Sequence, residues 1–105
     1  MNLKRISDMA NIPGEFTGLN GMVYISTIVP RHKPRIKFRT SDEDLSFYIE
    51  NGEISAPKQG AKIAAKEAQK VAKWIALNKQ NLLKYWYNSE KYTAAEFILE
   101  MKKVQ

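Results

Sequence analysis

The sequence predicts an α+β fold: a three- or four-stranded antiparallel meander packed against one long helix, with a short helix at the C-terminus. Apolar residues alternate with polar ones along residues 35–40 and 45–50, which is typical of strands that bury one face. Apolar residues also recur at helical spacing over residues 58–86. An Asn-Gly pair at residues 51–52 indicates a hairpin turn between two of the strands.

The 105 residues are enough for one domain, residues 1–105, in which we distinguish three regions. Residues 1–20 show no clear period and contain the turn dipeptide Pro13-Gly14, so we interpret them as a short helical turn or an irregular N-terminal arm, followed by a loop. Residues 22–56 form the β meander, and residues 60–104 form the helical part.

The meander region contains four segments with the composition or the alternation of strands: residues 22–29, 35–40, 45–50 and 53–56. In the two middle segments the inward side carries the apolar side chains Ile36, Phe38, Leu45, Phe47 and Ile49. A sheet with one apolar face needs a cover, and the amphipathic helix supplies it.

Two turns predict the register of these strands. A two-residue type I′ turn at Asn51-Gly52 pairs Ile49 with Ile54, because both turn residues tolerate a positive φ. This pairing brings two inward residues together.

The acidic loop of residues 41–44 predicts the second pairing. If it closes so that residue 40 meets residue 45, Phe38 lies opposite Phe47, and Lys37 lies opposite Tyr48 on the other face. A slip of one position would turn the apolar residues of one strand away from those of its neighbour.

The helical part begins with two stripes on opposite sides of one projected helix, and we expect this helix to start near residue 60 or 61. The apolar stripe consists of Ala64, Ala68, Val71, Ile75, Leu82 and Trp86, and the cationic stripe of Lys58, Lys62, Lys66, Lys70, Lys73 and Lys84. Asn78 falls on or beside the apolar stripe, so the helix bends there or a turn divides it. Thr93 and Glu96 have the spacing of a capping box, which predicts the start of the C-terminal helix.

Composition and charge bound the function. The net charge of +6 favours polyanionic partners, either nucleic acid or an acidic protein. The absence of cysteine excludes disulfides, thiolate metal sites and a cysteine nucleophile. No apolar run is long enough for a membrane span, and the N-terminus lacks the apolar region of a secretory signal, so we expect a cytoplasmic protein with no membrane partner.

The densest group of cations predicts the binding surface. It consists of Arg31, Lys33, Arg35, Lys37 and Arg39. The last three alternate on one face of the sheet, where Tyr48 also lies in the predicted register. Cations around an aromatic ring suit contact with phosphates and stacking of bases, so we expect a non-enzymatic module that contacts nucleic acid through this face.

Two other classes of function stay open. Trp74 and Tyr85 project off the apolar stripe, and as an exposed pair flanked by lysines they would anchor a protein partner of a regulator or inhibitor. They would equally pack under the C-terminal helix. His32, whose cationic neighbours lower its pKa, is a candidate general base for RNA cleavage, which makes a ribonuclease the third class.

The sequence predicts no metal site and no cofactor. It contains one histidine, and the acidic loop residues Asp42, Glu43 and Asp44 lack the spacing and the glycine of an EF-hand, so we expect a solvated turn. Residues 18–21 match neither the P-loop nor the dinucleotide-binding pattern.

The order of strand pair, Pro-basic strand start and the block Trp74-Ile75, Asn78, Leu82-Leu83, Trp86 resembles the small bacterial domain-of-unknown-function family 4160 over residues 22–88. The resemblance implies a small cytoplasmic bacterial protein, often encoded in toxin–antitoxin-like or mobile-element contexts, and no established activity. Members commonly carry Pro-His-x-His where this chain has Arg35 and Lys37 after Pro34. Any acid–base or metal role of that histidine pair is therefore not expected here.

Overall fold

A computed structural model of the chain describes residues 9–26, 33–41, 44–55 and 65–104. These residues form an α+β fold in which five antiparallel strands pair in chain order. The strands are β1 (Met9–Ile12), β2 (Met22–Ser26), β3 (Arg35–Arg39), β4 (Asp44–Tyr48) and β5 (Ile54–Ser55). The described helices are α1 (Gly14–Thr17), α2 (Ala65–Leu77), α3 (Lys79–Asn88) and α4 (Ala94–Glu100). The predicted class is confirmed, but the sheet has one strand more than the predicted maximum.

The additional strand, β1, lies in the segment for which we predicted a short helical turn or an irregular arm, and this prediction was wrong for residues 9–12. The one-turn helix α1 at Gly14–Thr17 agrees with the predicted helical turn. β1 pairs with β2, so that Ala10 lies opposite Ile25 and Ile12 lies opposite Val23, all of them buried. Two inward residues are too few to establish a period in the sequence. The pairing with β2 therefore decides that these residues form a strand.

The register of β3 with β4 differs from the predicted one by two positions. Phe38 lies opposite Leu45 and Ile36 lies opposite Phe47. A two-residue slip leaves every inward side chain on the inward face, so alternation alone does not distinguish the two registers. The rings of Phe38 and Phe47 still meet diagonally, edge to face, with 6.5 Å between their centroids.

The turn between β4 and β5 is also two positions away from the prediction. Ile54 lies opposite Phe47 rather than Ile49, and residues 49–52 form the loop. The N–H of Gly52 donates to the carbonyl of Tyr48 at 2.8 Å, and Gly52 has a φ of +74°. The longer loop thus keeps the left-handed glycine of the prediction but replaces the tight type I′ turn.

This loop rests directly on helix α2. A Cβ atom added to Gly52 would lie 2.9 Å from the Cβ of Ala72. Glycine is therefore required here twice, for its φ and for the close approach of helix and loop.

Asn78 divides the helical part between α2 and α3, which confirms the interruption predicted at this residue. Its side chain is buried, with 2% exposed, and binds the C-terminal segment. The Nδ2 of Asn78 donates to the carbonyls of Trp74 and Lys102, each at 2.9 Å, and its Oδ1 accepts from the N–H of Lys102 at 2.7 Å. The predicted start of the long helix near residue 60 lies outside the described residues.

The core lies between the inward face of the sheet and helices α2, α3 and α4. Helix α4 contributes Phe97, whose ring stacks on Tyr85 of α3 with a centroid distance of 5.4 Å. The predicted capping box at the start of α4 is confirmed: the side chain of Thr93 accepts from the N–H of Glu96, and the Glu96 carboxylate accepts from the N–H of Thr93. No helix within the described ranges is long and apolar enough to cross a membrane.

Candidate nucleic-acid interface

The outer face of the sheet, opposite the helices, carries the cations of strand β3. Arg35, Lys37 and Arg39 alternate with the buried Ile36 and Phe38, so the three cations share one face as predicted. Lys37 and Arg39 are exposed, and Arg35 is half-buried. Strand β3 thus presents a short row of positive charge to solvent.

Tyr48 lies on the same outer face, but opposite Arg35 rather than opposite Lys37 as predicted. Its ring is half-buried, and the Nζ of Lys33 lies 5.9 Å from the ring centroid. The two-position register shift is the reason for the changed partner. Tyr48 therefore stays within the cationic face.

The sequence analysis missed two aromatic residues of this surface, Tyr24 and Trp86. Tyr24 lies on β2 directly opposite Lys37. The buried neighbours of Tyr24, Val23 and Ile25, were a usable indication, because alternation places Tyr24 on the outer face. Trp86 was predicted to belong to the core, and the structure shows it half-buried and in contact with the core cluster.

These residues meet at a cavity of about 250 Å³, which we call the sheet-end pocket. Its lining consists of Tyr24, Ser26, Arg35, Lys37 and Trp86. The first four residues come from neighbouring strands β2 and β3, whereas the tryptophan comes from the last turns of α3. The pocket therefore combines two aromatic rings, a hydroxyl and two cations.

Arg39 differs from the other cations of β3, because it forms an ion pair with Asp44. Its Nη2 lies 2.8 Å from the Oδ2 of Asp44, and the hydrogen bond and charge of this carboxylate raise the pKa of Arg39. Its guanidinium also lies over the ring of Tyr24, 4.8 Å from the centroid. Much of the charge of Arg39 is thus balanced within the sheet.

Lys33, Arg35 and Lys37 make no ion pair with any other residue in the part of the chain that the structure describes. No carboxylate of the described residues balances their positive charge, and the field of neighbouring cations adds to the attraction for an anion. The electrostatic part of the predicted surface therefore rests on these three residues.

Arg31, His32, Asp42 and Glu43 lie outside the described residues, as do Lys58, Lys62 and Ala64 of the two predicted helix stripes. The general-base role of His32 stays a prediction. Within the described ranges, no three His, Asp or Glu side chains are placed to hold a metal ion.

Trp74 and Tyr85 do not form the exposed pair that we predicted as a protein-binding anchor, since both are 0% exposed. Tyr85 stacks on Phe97 of α4, which is the alternative that the sequence left open. The buried stripe of the two helices consists of Val71, Trp74, Ile75, Asn78, Leu82 and Tyr85. From Val71 through Ile75, Asn78 and Leu82 to Tyr85 the steps are four, three, four and three residues, so the stripe keeps a helical spacing through Asn78. It continues to Tyr85, and Trp86 beside it packs against the core only in part.

A second cationic cleft of about 590 Å³ lies beside α2. It is lined by Leu19, Asn20, Lys66, Glu67, Gln69, Lys70 and Lys73. This cleft contains three lysines and one carboxylate but no aromatic ring, so it offers bases no stacking surface. The sheet-end pocket is the better candidate site.

Comparison of the chain with protein-family models, curated proteins and solved structures gives no match. The likeness to family 4160 stays a prediction.

Proposed function

We propose that this protein is a small non-enzymatic module that binds nucleic acid through the outer face of its sheet. One observation carries the proposal: Arg35 and Lys37, which have no ion-pair partner among the described residues, line a pocket together with the rings of Tyr24 and Trp86. Phosphate contacts by cations supply most of the affinity of nucleic-acid binding, and aromatic rings add stacking on bases.

The net charge of the whole chain supports the same partner. A charge of +6 attracts a polyanion over long range, and the cationic row of β3 places part of this charge where rings are also accessible. The resemblance to the bacterial family favours a cytoplasmic protein from a toxin–antitoxin-like or mobile-element context, and this setting is part of the proposal.

The alternative of a protein-binding regulator loses its two anchor residues, because Trp74 and Tyr85 are fully buried. A protein-binding role is then compatible with the structure only if an acidic protein contacts the same cationic face. It would use the cations of β3 without stacking on the rings.

The test is charge reversal on the outer face. In the double variant Arg35→Glu/Lys37→Glu, we expect the affinity for a fluorescein-labelled oligonucleotide to fall at least about tenfold, because two phosphate contacts become repulsive. Fluorescence anisotropy measures the affinity, and circular dichroism verifies that the variant is folded.

The matched control is Lys66→Glu/Lys70→Glu on α2, which changes the net charge by the same amount on the second cleft. We expect a much smaller loss of affinity in this control. Equal losses in the two double variants would show that only net charge matters, and the outer face would not be the binding site.

A further inference from the structure

We infer that the sheet-end pocket holds one unpaired base of a single-stranded nucleic acid, stacked on Trp86, while Arg35 and Lys37 contact the adjoining phosphate. This inference rests on the proposed function and narrows it from nucleic acid in general to single strands. Three features support this inference: the size of the pocket, the uncovered ring of Trp86 and the position of the two cations.

The size of the pocket is sufficient for a flat aromatic ring. Its volume of about 250 Å³ lies just below the roughly 300–1,000 Å³ of ordinary small-molecule sites. A base can enter such a space while its sugar and phosphate stay at the rim. The hydroxyl of Ser26 lines the same space and can donate to, or accept from, the edge of a base.

The two rings of the pocket differ in whether another side chain covers them. The face of Tyr24 is covered by the guanidinium of Arg39. The indole of Trp86 makes no ring–ring or cation–ring contact with another described residue. Trp86 is thus the ring that can receive a base, and Tyr24 forms part of the wall.

The cations stand beside the pocket rather than at a distance from it. Arg35 and Lys37 lie two residues apart on one strand, so both side chains leave the same face, and both line the cavity. The guanidinium of Arg35 can bind a phosphate with two parallel hydrogen bonds. A stacked base and its phosphate would therefore be held by neighbouring side chains.

This arrangement selects single strands over duplexes. In a duplex each base is stacked on both sides and paired at its edge, so it reaches Trp86 only if it leaves the helix. Unpaired bases need no such step, and recognition of single strands characteristically combines stacking on aromatic side chains with backbone contacts. A duplex would contact the cations of this face alone.

The experiment uses the fluorescence of Trp86 in the full-length chain. The chain has two tryptophans, and Trp74 is fully buried with an Nε1 that makes no hydrogen bond to another described residue, so Trp74→Phe leaves Trp86 as the single reporter. This variant is titrated with a single-stranded oligonucleotide, its duplex, an abasic strand of equal length and polyglutamate. Anisotropy of labelled ligands gives the affinities in parallel.

We expect the single strand to quench Trp86 and to bind about tenfold more tightly than the abasic strand, because stacking of one base contributes measurably to affinity. The duplex and the abasic strand should bind more weakly and leave the fluorescence nearly unchanged. Trp86→Ala should remove the preference for the single strand over the abasic one. Tyr87→Ala should keep this preference, since Tyr87 is the adjacent residue, is 69% exposed and does not line the pocket.

Other outcomes separate the two proposals. If the single and abasic strands bind equally and neither quenches Trp86, the stacked base is refuted while nucleic-acid binding stands. If the duplex binds as tightly as the single strand, the preference for single strands is refuted. If no nucleic acid binds, or if polyglutamate binds equally well, the proposed function fails as well. If Trp86→Ala does not fold, the fluorescence of Trp74→Phe decides the question.

Discussion

Asn78 is the residue at which a single side chain does most to organise the helical part. Its amide is buried and connects two places in the chain: the end of α2 at Trp74 and the C-terminal segment at Lys102. The N–H and the carbonyl of Lys102 both bond to the same amide, which fixes the C-terminal segment against the helices. The amide that looks out of place in an apolar stripe is therefore a structural link.

Replacing Asn78 tests this role. We expect Asn78→Ala to lower the free energy of unfolding by about 2 kcal/mol, because the N–H and the carbonyl of Lys102 both lose their partner. Urea denaturation measures the change. The control is Asn81→Ala, whose Nδ2 donates to the carbonyl of Glu100 at 3.4 Å in an exposed position, and there we expect less than about 0.5 kcal/mol. Equal effects of the two substitutions would contradict the structural role of Asn78.

At the scale of elements, helix α4 is short and depends on two fixed points. Its first turn is closed by the capping box of Thr93 and Glu96, and its buried face is held by Phe97, which contacts Tyr85 and Tyr92. Tyr92 in turn donates to the carboxylate of Glu100 at 2.5 Å. Burial and this hydrogen bond raise the pKa of Tyr92 above its usual range, so its hydroxyl keeps donating to Glu100 into alkaline solution.

Replacing Thr93 tests the cap of α4, and thermal or urea denaturation measures the change in stability. We expect Thr93→Ala to cost about 1 kcal/mol of stability, because the N–H of Glu96 loses its acceptor. Thr93→Ser keeps the hydroxyl and should cost less. A loss in Thr93→Ser as large as that in Thr93→Ala would contradict the capping role.

The hydrogen bonds from Thr93 lower the pKa of Glu96 below its ordinary value of 4.5. A carboxylate whose pKa is lower in the folded than in the unfolded protein stabilises the fold at pH values above its ordinary pKa. This stabilisation is lost as the pH falls through the pKa of the folded protein. Wild type should therefore exceed Glu96→Gln in stability at neutral pH, and acid denaturation curves should show the difference disappearing below the folded pKa. A difference that persists in strong acid would contradict this assignment.

At the scale of the whole molecule, the meander separates an apolar face from a cationic one. Consecutive strands pair in chain order, so every second residue of β2, β3 and β4 faces the helices and the others face solvent. The helices cover the apolar face, and the positive charge of β3 stays on the open face. The proposed interface thus follows from the same alternation that builds the core.

The open face predicts a salt dependence. If Lys33, Arg35 and Lys37 each neutralise one phosphate of a single strand, the logarithm of the affinity should fall against the logarithm of salt concentration with a slope of about −2. Anisotropy titrations between about 50 and 200 mM salt measure this slope, and Lys37→Ala should reduce its magnitude by about 0.7. Lys70→Ala serves as the control and should leave the slope unchanged. Identical slopes in wild type and Lys37→Ala would exclude a phosphate contact by Lys37.

Much of the fold was predictable because its elements have local causes. The alternation in β3 and β4, the interruption at Asn78 and the capping box of Thr93 are set by neighbouring residues, and each is confirmed. The register was not predictable to better than two positions, since a slip of two keeps all inward residues inward.

The shared face of the cations in the candidate site was predictable from the sequence, but the aromatic rings that join them were not. Arg35, Lys37 and Arg39 share a face because they alternate on one strand, which is a local property. Trp86 joins them from a helix far along the chain, and no spacing in the sequence predicts that contact. The burial of Trp74 and Tyr85 likewise depends on how the helices pack.

The sequence by itself determined which side chains face inward along each middle strand, where the helix is interrupted and where the last helix begins, because these properties depend on residues a few positions apart. Only the tertiary structure decided that residues 9–12 form an edge strand, which residues lie opposite one another and that Trp86 closes a pocket beside Arg35 and Lys37. These features depend on contacts between distant segments, whose energies come from packing and pairing partners that no local pattern specifies.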